Sequence, residues 1–285
     1  MRDGTRTRDL GGPAVAASAA ARGGRTPVWG PAACFYVVTM LAAGALGLLQ
    51  PWTGLDPQIL ELTQFGPAVA VLVVLTALPA VRSLVAATFT GRARSAAAQV
   101  ALVSLTAAAV FTGCIGAYGV LGRDLPVLFP SSLVAPVLLV VPAQLVGACG
   151  EEVGWRCLLQ PLLRRRLPTL GASAVVGLLW GVWHVQVFTL GAGFACAFLV
   201  ATVAMSVVLG VSVQRSGGWN LAASAVFHLL INLGLLFFLD EEDGDTAALW
   251  TFALMCSLAA AAWAIADRSM PGPGAVPRDV AGSRA

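Results

Sequence analysis

Two adjacent glutamates and an arginine stand in the otherwise apolar stretch "GACGEEVGWRCLLQ", residues 147–160. A carboxylate away from water is costly unless it is protonated, paired or wetted. Arg156 follows Glu152 by one helical turn, so the sequence predicts an i,i+4 ion pair between these two residues. Glu151 is then left partly desolvated, where a carboxylate can serve as a general base toward water.

The chain contains 2 histidines, and both lie in apolar segments: His184 in "GLLWGVWHVQVF" and His228 in "NLAASAVFHLLINLG". Ser224, His228 and Asn232 recur at every fourth position, which predicts a polar stripe on one face of a helix. A carboxylate, two imidazoles and an amide can together activate water and stabilise an oxyanion. We therefore predict one hydrolytic site, formed by Glu151, Glu152, Arg156, His184, His228 and Asn232.

The elements that carry these residues belong to a membrane protein. Of 285 residues, 58% are hydrophobic and 11% are charged, which excludes an ordinary soluble domain. Apolar runs of about 20 residues, the length that crosses a bilayer, recur along the chain. We predict an all-α, polytopic transmembrane bundle of about eight helices, multi-pass in the cell membrane, with the lipid bilayer as a partner and no nucleic acid. The predicted segments are 33–50, 66–85, 96–120, 131–155, 170–190, 194–213, 220–239 and 247–266.

The arginines predict the orientation. All 17 basic residues are arginine, and in this arrangement those in loops and tails fall on one side, with only Arg123 on the other. By the positive-inside rule, both termini are predicted to be cytoplasmic. The acidic run "DEEDGD", Asp240 to Asp245, falls on the opposite side. We interpret it as a solvated loop rather than a metal site, because its oxygens lack calcium-loop spacing.

The site residues are predicted to lie at a similar depth. If Arg164–Arg166 mark the cytoplasmic surface, a rise of 1.5 Å per residue places Glu151 about 20 Å from it. The same count from Pro168 and Gly218 gives about 24 Å for His184 and 15 Å for His228. Three helices thus bring ionisable groups to one layer of the membrane, which favours a single site.

Small residues suggest how these helices approach each other. Gly147, Gly150 and Gly154 form one ridge, and Gly177 and Gly181 form another. Such ridges let helix backbones come close together. We expect the two ridges to bring Glu151 and His184 within reach of each other.

Other polar and aromatic side chains near these residues have more than one interpretation. We expect Trp180, Trp183 and Phe227 to pack or to form groove walls. For Gln144, two roles stay open: support of the site, or plain hydrogen bonding between helices.

The site residues resemble the motifs of the CAAX prenyl protease and bacteriocin-processing (CPBP, or Abi) family of intramembrane proteases. Glu151-Glu152-x-x-x-Arg156 matches the first motif of that family, and His228-x-x-x-Asn232 matches the last. The middle motif is usually Phe-x-x-x-His; here it reads Trp180-Gly-Val-Trp-His184, with tryptophan in place of phenylalanine. The resemblance covers roughly residues 131–239, with three motifs in order.

The resemblance implies a glutamate-dependent intramembrane endopeptidase that cuts a peptide or membrane-protein substrate near the cytosolic face. It implies that Glu151 and His184 activate the attacking water and that His228 and Asn232 form the oxyanion hole. Glu152 and Arg156 would maintain the electrostatics and geometry of the site. Prenylated substrates need not carry over, since bacterial members include proteins linked to peptide maturation and bacteriocin self-protection.

From composition and this resemblance together, we predict that the chain divides into five parts. They are a disordered Arg-rich tail (1–30), three transmembrane helices (31–130), the CPBP-like protease core (131–239), the acidic loop with the last helix (240–270) and a disordered tail (271–285).

Zinc and two non-proteolytic functions are the alternatives. Glu151, His184 and His228 are a sufficient ligand set for a catalytic zinc. However, HExxH spacing is absent, and the glutamate mechanism uses the same residues without metal, so we expect no required cofactor. A non-catalytic protein for bacteriocin self-immunity or scaffolding would keep the same fold. A proton-coupled transporter is disfavoured because the sequence shows no inverted repeat.

Overall fold

The computed structural model describes residues 28–123, 127–238 and 245–269, and every regular element in these ranges is helical. The predicted tails fall almost wholly outside the described residues, as does most of the acidic run. The longer helices are α1 (Trp29–Thr53), α2 (Gly66–Ala77), α3 (Arg82–Ala87), α4 (Ala93–Val120), α5 (Val137–Gly154), α6 (Gln160–Leu163), α7 (Thr169–Trp183), α8 (Ala192–Ser216), α9 (Asn220–Phe238) and α10 (Thr246–Ser269).

The all-α, multi-pass membrane architecture is confirmed. Within the described part of the chain, 6 helices are long and apolar enough to cross a membrane, or up to 7 if the bent segment from Leu62 to Ala87 is one span. The sequence predicted about eight. The difference lies in the predicted segment 170–190, where α7 has 15 residues, fewer than the roughly 20 that a span requires.

The predicted second segment, 66–85, is not one straight helix. A short 3₁₀ turn (Leu62–Phe65) leads into α2, and the chain then bends by 112° before Pro79–Ala87. Leu78, which precedes Pro79, has φ −130° and ψ 75°. The proline ring disfavours the helical conformation in the residue before it, so α2 ends there.

The helix that carries the glutamates continues beyond them, as predicted, but it widens. Residues Trp155–Leu159 form a π-helical turn between α5 and α6, in which the Gln160 N–H donates to the Trp155 carbonyl. In this register the next amide would bond the Arg156 carbonyl, but residue 161 is proline and has no N–H. The side-chain amide of Asn220 donates to that carbonyl instead, at 3.0 Å.

The first glycine ridge packs against the bent segment. A Cβ at Gly150 would lie 2.9 Å from the Phe65 ring, and one at Gly154 would lie 2.5 Å from Pro67. These contacts hold α5 against the turn that begins at Leu62.

The second glycine ridge packs α7 against α8. A Cβ at Gly177 would lie 2.6 Å from Val203, and one at Gly181 would lie 2.5 Å from Thr202. The expectation that the two ridges bring Glu151 and His184 together is therefore wrong, because each ridge is occupied by a third element.

Candidate active site

A cavity of about 650 Å³ lies between α1, α5, α9, the end of α7 and the segment around residues 57–64. Four of the six predicted site residues line it: Glu151, His184, His228 and Asn232. The side-chain amides of Gln58, Gln64, Gln144 and Gln186 line it as well. The structure thus gathers the predicted groups of three helices around one polar space inside an apolar bundle.

Glu151 is 2% exposed, and each of its carboxylate oxygens accepts a hydrogen bond. Oε1 accepts from Nε2 of Gln64 at 3.2 Å, and Oε2 accepts from the indole Nε1 of Trp180 at 2.8 Å. Nε2 of His228 lies 3.8 Å from Oε1. The carboxylate is therefore oriented from two sides, and it still borders the cavity.

Glu152 faces away from the cavity and joins His228 to Arg156. Its Oε1 accepts a hydrogen bond from Nδ1 of His228 at 2.9 Å, and its Oε2 lies 3.3 Å from Nε of Arg156. The side chains of Glu152 and Arg156 are both 0% exposed. The predicted i,i+4 pair is present, and the two glutamates have different surroundings, as the sequence suggested.

The Arg156 guanidinium is held mainly by charge and by an aromatic ring. Its three nitrogens have no aligned hydrogen-bond acceptor among the residues that the structure describes. Its central carbon lies 4.7 Å from the centroid of the Trp180 ring. A guanidinium over an indole face gains a cation–π interaction, which is strongest when the pair is desolvated.

The sequence predicted that His184 lies inside a continuous helix. In the structure it lies at the residue where α7 ends. Its backbone N–H donates to the Gly181 carbonyl at 3.2 Å, which leaves the Trp180 carbonyl free for Nδ1 of the His184 ring, at 2.9 Å. Because a carbonyl can only accept, Nδ1 carries the proton, and Nε2 keeps its lone pair. The half-buried ring thus offers an acceptor to the cavity.

Asn232 lies one helical turn after His228 and also borders the cavity. Its Nδ2 donates to Oε1 of Gln144 at 3.3 Å, and Nε2 of Gln144 donates to the Gln58 carbonyl at 2.9 Å. Gln144 therefore combines the two roles left open by the sequence: it connects helices, and it orients a predicted site residue.

Two residues that contact Glu151 were missed from the sequence. Trp180 was expected only to pack, but its N–H donates to the carboxylate. Gln64 lies outside the three motifs, and its position in the chain gives no sign of its role. The only hint in the sequence is that Gln64 precedes an apolar segment interrupted by proline, which is compatible with an irregular element there.

The zinc alternative names Glu151, His184 and His228 as the ligands. Among residues 28–123, 127–238 and 245–269, no group of three His, Cys, Asp or Glu side chains is arranged to hold a metal ion. Nδ1 of His228 contacts Glu152 and Nδ1 of His184 contacts the Trp180 carbonyl, so only Nε2 of each ring is left for any other ligand. No step proposed below passes through a metal.

The fold and this site define a multi-pass membrane protein with a buried glutamate–histidine cluster, and comparison with known proteins adds a family resemblance. Residues 133–234 match the family described as Type II CAAX prenyl endopeptidase Rce1-like. That range contains all three motifs, so the resemblance expected from the sequence is confirmed. Residues 133–234 of this multi-pass membrane protein are therefore similar to a CAAX-protease-like family.

Curated relatives extend the similarity beyond this region. Lysostaphin resistance protein A of Staphylococcus haemolyticus is 23% identical over 224 residues, which are 79% of this chain and 61% of the relative. The protein of the same name from Staphylococcus aureus (strain bovine RF122 / ET3-1) is 23% identical over 226 residues, 79% of this chain and 54% of the relative. The chain thus spans between half and two thirds of the length of these relatives.

Proposed function

We propose that the protein is an intramembrane endopeptidase that hydrolyses a peptide bond in a peptide or membrane-protein substrate near the cytosolic face of the membrane. The observation that carries this proposal is the position of Glu151. Its carboxylate borders a polar cavity inside the bundle, in the company of both histidines and of Asn232. An intramembrane ionisable group with such partners is a functional site by default.

Water activation begins at Glu151. Its carboxylate accepts one proton from a water molecule as the water oxygen attacks the carbonyl carbon of the scissile bond. His184 also lines the cavity, and Nε2 of its neutral ring accepts the second O–H of that water and so orients the attack. After the C–N bond breaks, the proton held by Glu151 passes to the leaving amine.

The oxyanion that forms on the carbonyl needs hydrogen-bond donors already in place. Asn232 has a second N–H besides the one directed to Gln144. His228 offers Nε2–H when its ring carries both protons, because Nδ1–H is directed to Glu152. These two side chains are one turn apart on α9, so a single rigid element carries both donors.

Glu152 and Arg156 support the site without bordering the cavity. The Glu152 carboxylate fixes the ring of His228, and Arg156 balances its charge in a region closed to water. Neither residue needs to touch the substrate. Their role in the proposal is to maintain the orientation and electrostatic environment of His228.

The decisive experiment is cleavage by the purified protein in nanodiscs, with a panel of fluorogenic peptides and membrane-protein segments. Wild type is compared with Glu151→Gln, His184→Ala and His228→Ala, and with Asp267→Asn as a matched control. Asp267 is a carboxylate on α10 that pairs with Arg215 at 3.8 Å and does not border the cavity. The proposal requires loss of cleavage in the three site variants and its retention in Asp267→Asn.

Metal independence belongs to the same proposal. Wild-type protein treated with a chelator and then assayed for bound metal is expected to keep its activity. Stoichiometric zinc that is lost in His184→Ala, with activity restored by added zinc, would contradict this part.

A non-catalytic role in resistance is the second candidate, and the names of the relatives favour it. Both are called lysostaphin resistance proteins, and a resistance phenotype does not by itself require hydrolysis. An experiment in cells distinguishes the two candidate functions. A resistance phenotype that requires this protein and persists in Glu151→Gln supports the non-catalytic role. A phenotype that Glu151→Gln abolishes supports the peptidase.

A further inference from the structure

We propose that Gln64 and Trp180 are positioning residues that together fix the carboxylate of Glu151, with one donor for each oxygen. The proposal rests on the proposed peptidase function, and it adds a hydrogen-bonding role for two residues, of which Trp180 stands at the usual phenylalanine position of the middle motif. One of them, Gln64, lies outside the region 133–234 that matches the family.

The two donors approach the carboxylate from separate elements. Gln64 lies on the 3₁₀ turn Leu62–Phe65 and reaches Oε1, whereas Trp180 lies on α7 and reaches Oε2. A single hydrogen bond would leave the carboxylate free to rotate about its last torsion angle. Two bonds to different oxygens fix its plane, so the oxygen that borders the cavity stays in place for proton transfer.

The other end of the Gln64 amide fills the space beside Gly147. The side chain is 7% exposed, and its Oε1 would clash with a Cβ on residue 147. Only glycine at 147 leaves room for it. The opposite amide orientation would place the oxygen against the Glu151 carboxylate, where two acceptors repel, so the N–H₂ group faces Glu151.

Trp180 combines three contacts in one ring. Its N–H donates to Glu151, its face covers the Arg156 guanidinium at 4.7 Å, and its centroid lies 5.1 Å from that of His228. The phenylalanine usual at this position of the motif would keep the ring contacts but has no N–H. The donor is therefore what tryptophan adds to this site.

The bent segment gains a function from this arrangement. Because the 3₁₀ turn that carries Gln64 packs against Gly147 and Gly150 of α5, the donor and the base are fixed to each other by close backbone contact. The glycine ridge of α5, which was expected to face the helix of His184, instead faces the turn that carries this amide.

The first test removes only the indole N–H. Trp180 is replaced by the isosteric benzothienylalanine, in which sulfur takes the place of N–H, and steady-state cleavage is measured. A charge-assisted hydrogen bond lost from the reacting base is expected to lower kcat about tenfold, with KM nearly unchanged. Wild-type kcat in this variant overturns the role of Trp180, because a purely packing residue is not disturbed by an isosteric ring.

The matched control is Trp155→Phe, compared with Trp180→Phe. Trp155 is also fully buried, but its Nε1 has no hydrogen-bond partner in the described residues, and it does not border the cavity. We expect Trp180→Phe to lose kcat and Trp155→Phe to keep it at equal folded fraction. Equal losses in both would mean that the change in ring size is responsible, and would overturn the proposal.

Gln64 is tested with Gln64→Met, which keeps the length of the side chain but has no donor. The expected result is a kcat about tenfold lower and a displaced acidic limb of the pH–kcat profile, because a donor to the base affects its protonation. A rise in KM with unchanged kcat and pH profile would show a substrate contact and overturn the positioning role.

A spectroscopic measurement separates this proposal from the function on which it rests. In protein labelled with [¹⁵N]tryptophan, the indole resonance of Trp180 is identified by its loss in Trp180→Phe. It is expected to move upfield in Glu151→Ala, whether or not the protein cleaves any substrate. An unchanged resonance overturns the hydrogen bond itself, whereas a moved resonance in a protein without peptidase activity rejects the proposed function alone.

Discussion

Glu151 and Glu152 are neighbours in the chain and both lie near the His228 ring, yet their surroundings are very different. Glu151 borders the cavity and is held by two neutral donors, with His228 3.8 Å away. Glu152 is sealed at 0% exposure between His228 and Arg156. One glutamate of α5 therefore borders a cavity, and the other is enclosed with a charge partner.

This difference shows how an apolar bundle can accommodate both a carboxylate that borders a cavity and, in the proposed function, the charge pair that supports it. A base must remain accessible and must not be consumed by a full ion pair. A charge that serves only for support is least costly when a counter-ion compensates it completely, because removal of either partner leaves the other buried and uncompensated. The same amino acid therefore has separable effects on activity and on stability at the two positions.

The largest expected effect is on catalysis at the glutamate that borders the cavity. Glu151→Gln removes the base, so kcat should fall by about 10²- to 10⁴-fold, the usual contribution of a positioned acid–base group. The free energy of unfolding in mixed micelles should fall by no more than about 1 to 3 kcal/mol, because the amide accepts from one of the two donors and leaves the other unpaired. A larger loss of stability here would remove the distinction between the two glutamates.

The next effect is on stability at the enclosed glutamate. Glu152→Gln leaves Arg156 buried without its counter-ion and should lower the free energy of unfolding by about 3 to 5 kcal/mol. The double change Glu152→Leu with Arg156→Met should recover most of that loss, although not the activity. The control is Asp267→Asn, whose pair with Arg215 is partly exposed at 27% and 17% and should cost about 1 kcal/mol or less. Equal costs at the two positions would contradict the comparison.

A smaller effect is expected where α9 completes the π-helical turn. Asn220→Ala leaves the Arg156 carbonyl buried without a donor, which should cost about 1 to 3 kcal/mol. In a Pro161→Ala background the backbone N–H at 161 is restored, so the same substitution should cost less. The unfolding free energies of the four proteins in this cycle measure the coupling, and additive costs would show that Asn220 does not replace the missing amide.

The smallest effect concerns the space that Gly147 leaves for Gln64. A Cβ at residue 147 would lie 2.0 Å from Oε1 of that side chain, so Gly147→Ala should displace the amide and lower kcat by roughly tenfold or less. Gly116→Ala on α4 is the control, since a Cβ there meets nothing within 4 Å. Equal activity of the two variants would argue against the contact between Gln64 and Glu151.

Much of this organisation could be read from local patterns. Apolar runs predicted the membrane helices, and the spacing of Glu152 and Arg156 predicted their ion pair, because both depend on near neighbours in the chain. The stripe with His228 and Asn232 likewise follows from one helical repeat. The bend of 112° before Pro79 was missed although the effect of proline is local. The end of α7 at His184 was also missed, because hydrophobicity alone does not locate where a helix ends.

The sequence by itself determined that a glutamate pair, an arginine, two histidines and an amide lie within an all-α membrane protein, because charges so rare in apolar segments must find partners. Only the tertiary structure decided which partners they find. It placed Gln64 and the Trp180 N–H on Glu151, and it directed the glycine ridges toward the bent segment and α8. The physical reason is that these contacts join residues far apart in the chain, and a helical period fixes which face a residue occupies but not what packs against that face.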